Sequence, residues 1–77
     1  MSKSKVATDL RELGGNIRRI RMSLGMTQER LAELIEINAR NVRRIEAGEF
    51  NVLVTTVARI RKALGCSWDE LVPRGWK

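Results

Sequence analysis

An all-α fold of five short helices is predicted by three features of this sequence. Apolar residues recur at helical steps of three and four, and β-branched residues cluster only at Val52–Val57. Glycines and capping residues divide the chain at short intervals. The first helix carries Leu10, Leu13, Ile17, Ile20 and Leu24 on one stripe, with Asp9 and Glu12 near its start and Gly25 as its C′ residue. Gly14 and Gly15 each weaken it by about 1 kcal/mol relative to alanine, so its regular part is expected to begin only near Asn16. Met1–Ala7 is polar and basic with nothing to pack, so residues 1–8 are read as a flexible arm.

Thr27 is a good N-cap for a second helix, with Glu29 in its first turn and Leu31, Ala32 and Ile35 on one stripe. Asn38 caps a third helix that runs to Ala47 and stops at Gly48. Val42 and Ile45 form its apolar side, while Arg40, Arg43 and Arg44 lie on the other. After a loop at Glu49–Leu53, a fourth helix carries Val54, Val57, Ile60 and Leu64, with Arg59, Arg61 and Lys62 elsewhere and Gly65 at its end. Ser67 and Glu70 form an S-x-x-E capping box for a short fifth helix bearing Trp68, Leu71 and Val72, and Pro73 stops it. Trp68 is read as core, and Cys66 as a small apolar residue where the last two helices meet. The run LVPRG at Leu71–Gly75 resembles a thrombin recognition site, but Leu71 and Val72 continue the helical pattern, so the tail is taken as part of the fold.

Seventy-seven residues suffice for one small domain, read as 1–77, with no room for a second, ligand-sensing domain. The balance of 15 Lys+Arg against 9 Asp+Glu gives a net charge of +6, and the pI is near 10.8. Such a surface raises the local concentration of polyanions. Histidine is absent and Cys66 is the single cysteine, which excludes a disulfide framework, a Cys/His zinc site and histidine acid–base chemistry. Paired carboxylates, a Ser/His constellation, a P-loop and metal-ligand spacing are also missing. An enzyme is therefore not expected, nor are a cofactor, a metal or any catalytic residue. No apolar run is long enough for a signal peptide or a membrane span, so a cytoplasmic protein with no membrane partner is expected.

The segment LGGNIRRIRMSLGMTQERLAELIEINARNVRRIEAGEF, followed by ALGCSWDELV, resembles the Cro/C1-type (XRE) helix-turn-helix family over Leu13 to Val72. The most specific blocks are IRRIR…GMTQERLA, RRIEAG and ALG-x-S-x-DEL. The resemblance implies a lambda-repressor-like domain that binds double-stranded DNA, usually a palindromic operator bound by a homodimer, with the second and third helices as its DNA-binding unit. Arg40 and Arg44, four residues apart on one helical face, are then expected at guanine edges, with Ala39 offering a methyl contact. Thr27, Gln28, Asn38, Asn41 and Arg43 are expected at phosphates. Arg18 and Arg19 are expected on the surface near the DNA backbone. Arg21 and Glu46 match a family pair that forms a partly buried ion pair between the first and third helices.

Three departures from the family pattern stand out. Glu36 occupies the turn position that usually holds glycine, which suggests either strain of about 1 kcal/mol or more or a differently shaped turn. Val52 and Leu53 replace the usual proline and the helix-capping Ser or Thr. The loop Glu49–Val54 lacks cations, so little minor-groove reading is expected from it. Phe50, Val52, Leu53 and Val54 are unusually apolar for a loop and helix start. Phe50, Val52, Leu53 and Trp76 are therefore candidates for a dimer or partner surface. The alternative function is an antitoxin-like or adaptor module whose main partner is another protein.

Overall fold

The computed structural model describes residues 3–49 and 51–76. Five α-helices follow one another: α1 (Lys3–Ser23), α2 (Gln28–Ile35), α3 (Ala39–Glu46), α4 (Val54–Leu64) and α5 (Trp68–Leu71). A 3₁₀ turn at Arg74–Trp76 follows, and no strand occurs among the described residues. At 1.5 Å per residue the 21 residues of α1 span about 31 Å, most of the 35 Å long axis of the molecule. α3, α4 and α5 pack against α1, and α2 packs against α3 and α4.

Each helix contributes its apolar stripe to one core: Leu13 and Ile17 from α1, Leu31, Ala32 and Ile35 from α2, and Val42 and Ile45 from α3. Val57, Ile60 and Leu64 of α4 complete it with Cys66 and Leu71. Ile20 is half-buried against this core. Leu24, the last residue of the first stripe, lies past the end of α1 and is exposed. The cysteine is buried, and burial together with the nearby Glu70 carboxylate raises its thiol pKa.

The beginning of α1 departs from the sequence reading twice. Residues 3–8 are helical rather than a flexible arm, and the helix runs unbroken through Gly14 and Gly15. Residues 1–2 lie outside the described ones. The helical turn that follows residues 3–8 is held by tertiary contacts. The Arg74 backbone N–H donates to Glu12 Oε2 at 2.9 Å, and the Trp76 indole N–H donates to Asp9 Oδ2 at 3.1 Å, so the C-terminal turn is fastened to the N-terminal half of α1. Pro73, which ends α5, is itself buried.

The second departure follows from packing. Gly14 is buried where α1 meets the end of α3. A Cβ there would lie 2.5 Å from the Glu46 carbonyl oxygen and closer still to that of Ile45, whereas a Cβ on Gly15 would meet nothing within 4 Å. The propensity lost at Gly14 is offset by an interhelical approach that no other residue permits.

The helix boundaries follow side-chain caps. Thr27, Asn38 and Ser67 accept from the backbone N–H groups of Arg30, Asn41 and Glu70, and the Glu70 carboxylate closes the capping box on the Ser67 N–H. That bond lowers the pKa of Glu70. α4 alone among these four starts without a side-chain cap, at Leu53. Glu36 adopts the left-handed conformation (φ 62°, ψ 41°), so the family's turn shape is kept and the strain is real. Trp68 is the remaining correction. α5 is only four residues long and seats Leu71 in the core, while Trp68 stays 42% exposed with the Arg61 guanidinium 5.2 Å from its ring centre.

Two stability measurements test these assignments. In urea denaturation Gly14→Ala should lose about 1–3 kcal/mol, while Gly15→Ala should gain about 0.5–1 kcal/mol. Equal effects would contradict the close approach. Glu36→Gly should raise stability by about 1 kcal/mol by removing the left-handed penalty, visible as a higher urea midpoint at unchanged slope.

Candidate nucleic-acid interface

The geometry of α3 divides its residues by face. At 100° per residue, Arg40, Arg43 and Arg44 fall within about 100° of arc. Val42, Ile45 and Glu46 are buried on the opposite side, and all three arginines are exposed. The Arg40 side chain has no hydrogen bond or ion pair with any other described residue. Arg43 Nη1 lies 3.7 Å from Glu29 Oε2 and Arg44 Nε 3.9 Å from Glu49 Oε1, with all four side chains largely in solvent. Exposed pairs at such distances contribute about 0–1 kcal/mol, so a phosphate can displace them. Glu29, in the first turn of α2, is a neighbour of Arg43 that the sequence did not disclose.

Behind this face sits a buried polar network. Arg21 Nε donates to Glu46 Oε2 at 2.6 Å and Arg21 Nη2 to Glu46 Oε1 at 3.1 Å, a bidentate pair from α1 to the end of α3. The third guanidinium nitrogen, Nη1, donates to the Met26 carbonyl at 2.7 Å in the α1–α2 turn. The pair expected from the family resemblance is therefore present and more buried than expected, the side chains being 9% and 3% exposed. Both ions are well supplied with partners, which a buried charge requires.

Gln28 joins the same network. Its amide Nε2 donates to Glu46 Oε1 at 2.9 Å, a tie across 18 residues that no local pattern signals. That bond uses one of its two amide hydrogens. Thr27 and Asn38 are exposed and occupied as caps through their oxygens, which leaves the Thr27 hydroxyl hydrogen and the Asn38 amide as outward donors. Ala39 is half-buried and packs on the core. Asn41 is half-buried toward α4, lining a hollow with Ile37, Val52 and Thr56.

The expected surface cations of α1 separate. Arg18 faces the α3 side, where it lines a cleft with Gln28, Arg43, Glu46 and Ala47. Arg19 turns instead toward α5, with its guanidinium 3.2 Å from Asn16 Oδ1 and near enough to lower the pKa of Glu70. Among the apolar candidates, Leu53 and its neighbour Val54 are strongly exposed, at 72% and 74%. Val52 is half-buried, and Trp76 is half-exposed with its indole N–H held by Asp9. Phe50 lies outside the described residues.

Two short helices joined by a left-handed turn, one docked in the core and the other presenting a basic face, define a helix-turn-helix domain. A helix-turn-helix family model matches residues 17–71. The chain belongs to the Cro/C1-type (XRE) helix-turn-helix family of DNA-binding transcription regulators. No curated protein matches it by sequence. Among solved structures, it is similar to the restriction-modification controller protein C.AhdI from Aeromonas hydrophila, with 31% identity and a TM-score of 0.79 over 83% of this chain and 97% of that one. The clp gene regulator ClgR from C. glutamicum matches with 32% identity and a TM-score of 0.76, over 80% of this chain and 81% of its own. The DNA-binding domain of BldD matches with 27% identity and a TM-score of 0.78, over 95% and 100%. No described helix is long and apolar enough to cross a membrane.

The network gives a direct test. Glu46→Ala strands the buried Arg21 and should cost about 3–5 kcal/mol in denaturant unfolding. A loss below about 1 kcal/mol would mean that the pair does not hold α3 in position.

Proposed function

We propose that the protein is a sequence-specific transcription regulator of the cytoplasm that binds a palindromic operator as a homodimer, with α3 in the major groove. The observation that carries this reading is the segregation of α3, whose exposed arginines lie opposite its buried Val42, Ile45 and Glu46. Arg40 and Arg44 then read guanine edges and Ala39 offers its methyl to a thymine. Thr27, Gln28, Asn38, Asn41 and Arg43 bind phosphates around them. The similarity to C.AhdI, named as a controller protein, and to ClgR, named as a gene regulator, supports the same reading.

A second copy is taken to dock on the apolar candidates Val52, Leu53 and Trp76, together with Phe50, which lies outside the described residues. Two α3 helices related by a twofold axis would meet half-sites about one helical turn apart, roughly 10 base pairs. The exposed Leu53 and Val54 favour one second reading, in which they seat a different protein, as in an antitoxin-like or adaptor module. Analytical ultracentrifugation of the purified chain separates the two, since a monomer at all concentrations, with and without operator, would exclude the homodimer.

Selection of bound sequences from random duplex DNA tests the reading directly. The selected sites should be inverted repeats with guanines at fixed positions. Arg44→Ala should relax preference at one position per half-site and cost about 1–3 kcal/mol there. Unchanged preference after replacing both Arg40 and Arg44 by alanine would reject the assigned face.

A further inference from the structure

We propose that Arg18, on α1, is a DNA-backbone residue, and that the cleft between α1, the start of α2 and α3 holds one phosphodiester. This rests on the DNA reading above and adds a third element to the helix-turn-helix pair.

The cleft is lined by Arg18, Gln28, Arg43, Glu46 and Ala47. Its chemistry suits a single anionic group. Arg18 and Arg43 supply cations from two different helices, and Gln28 retains one amide hydrogen after its bond to Glu46. The acid on the cleft floor, Glu46, is already neutralised by the bidentate Arg21 and is only 3% exposed, so it offers little repulsion. Ala47 follows Arg43 by four residues on the outward side of α3, and its small side chain leaves the cleft open. The Arg18 side chain is exposed and has no hydrogen bond or ion pair with any other described residue, so its guanidinium is available to an external ligand. The cleft borders the arginine face through Arg43, so a phosphate bound there belongs to a duplex that α3 engages. A favourable interaction of Arg18 with the negative end of the α3 dipole is the rival explanation, and it predicts a stability effect rather than a binding one.

Arg19 provides an internal control, because Arg19→Gln removes the same charge one residue away on the side facing α5. Binding of wild type, Arg18→Gln, Arg18→Lys and Arg19→Gln to the selected operator and to an unrelated duplex is measured across a salt titration. Thermal unfolding of each is recorded alongside. Arg18→Gln should bind both duplexes roughly three- to tenfold more weakly, with the magnitude of the log–log salt slope falling by about 0.9. Its unfolding temperature should be unchanged, Arg18→Lys should recover most of the slope, and Arg19→Gln should match wild type. Equal losses in Arg18→Gln and Arg19→Gln would reduce the effect to overall charge and overturn the proposal. So would a changed base preference, or a lower unfolding temperature with an intact salt slope. If wild type itself bound no duplex, the DNA reading would fail first, which distinguishes that failure from failure of the Arg18 assignment alone.

Discussion

The buried contact between Arg21 and Glu46 does more than join two helices, because its atoms reach four parts of the chain at once. The guanidinium belongs to α1 and donates into the turn at Met26, while the carboxylate ends α3 and accepts from Gln28 at the start of α2. The angle at which α3 leaves the core is thus set by hydrogen bonds with strict directional demands, whereas an apolar contact alone would tolerate sliding. Gly14 acts at the same crossing by a different means, since its missing side chain lets the Ile45 and Glu46 carbonyls come close to α1. One constraint fixes direction and the other fixes distance. Neither depends on the exposed half of α3.

Charge on this molecule is best understood by what each cation faces. Arg21 is committed to the interior, Arg61 lies over the ring of Trp68, and Arg19 donates to Asn16 on the side facing α5. Arg18, Arg40, Arg43 and Arg44 are exposed, and the acids near Arg43 and Arg44 stand at distances typical of weak surface pairs. A net charge of +6 therefore understates how uneven the surface is.

Much of the architecture was legible because its signals are local. Thr27, Asn38 and the Ser67–Glu70 box mark helix starts through hydrogen bonds spanning three residues, and Gly25, Gly48 and Gly65 mark ends through a left-handed backbone. The stripes that form the core are equally visible, being periodicities within one helix. The ion pair became readable only through family resemblance, since nothing near Arg21 or Glu46 in the chain announces the other. What stayed hidden was tertiary. Gly14 weakens a helix in isolation and enables a crossing in context. Asp9 and Glu12 hold the C-terminal turn, and the first described residues of α1 are helical where composition suggested an arm. The Gln28 bond to Glu46 and the divergence of Arg18 from Arg19 likewise require knowing which helices are neighbours.

The two-faced construction of α3 has a consequence for how such a domain can change. Val42, Ile45 and Glu46 are held by what lies behind them, whereas the side chains of Arg40, Arg43 and Arg44 are exposed on the opposite side, where substitutions cost little stability. Address and scaffold are thereby uncoupled. A lineage can rewrite the outer lettering of this helix in single steps at little cost to folding.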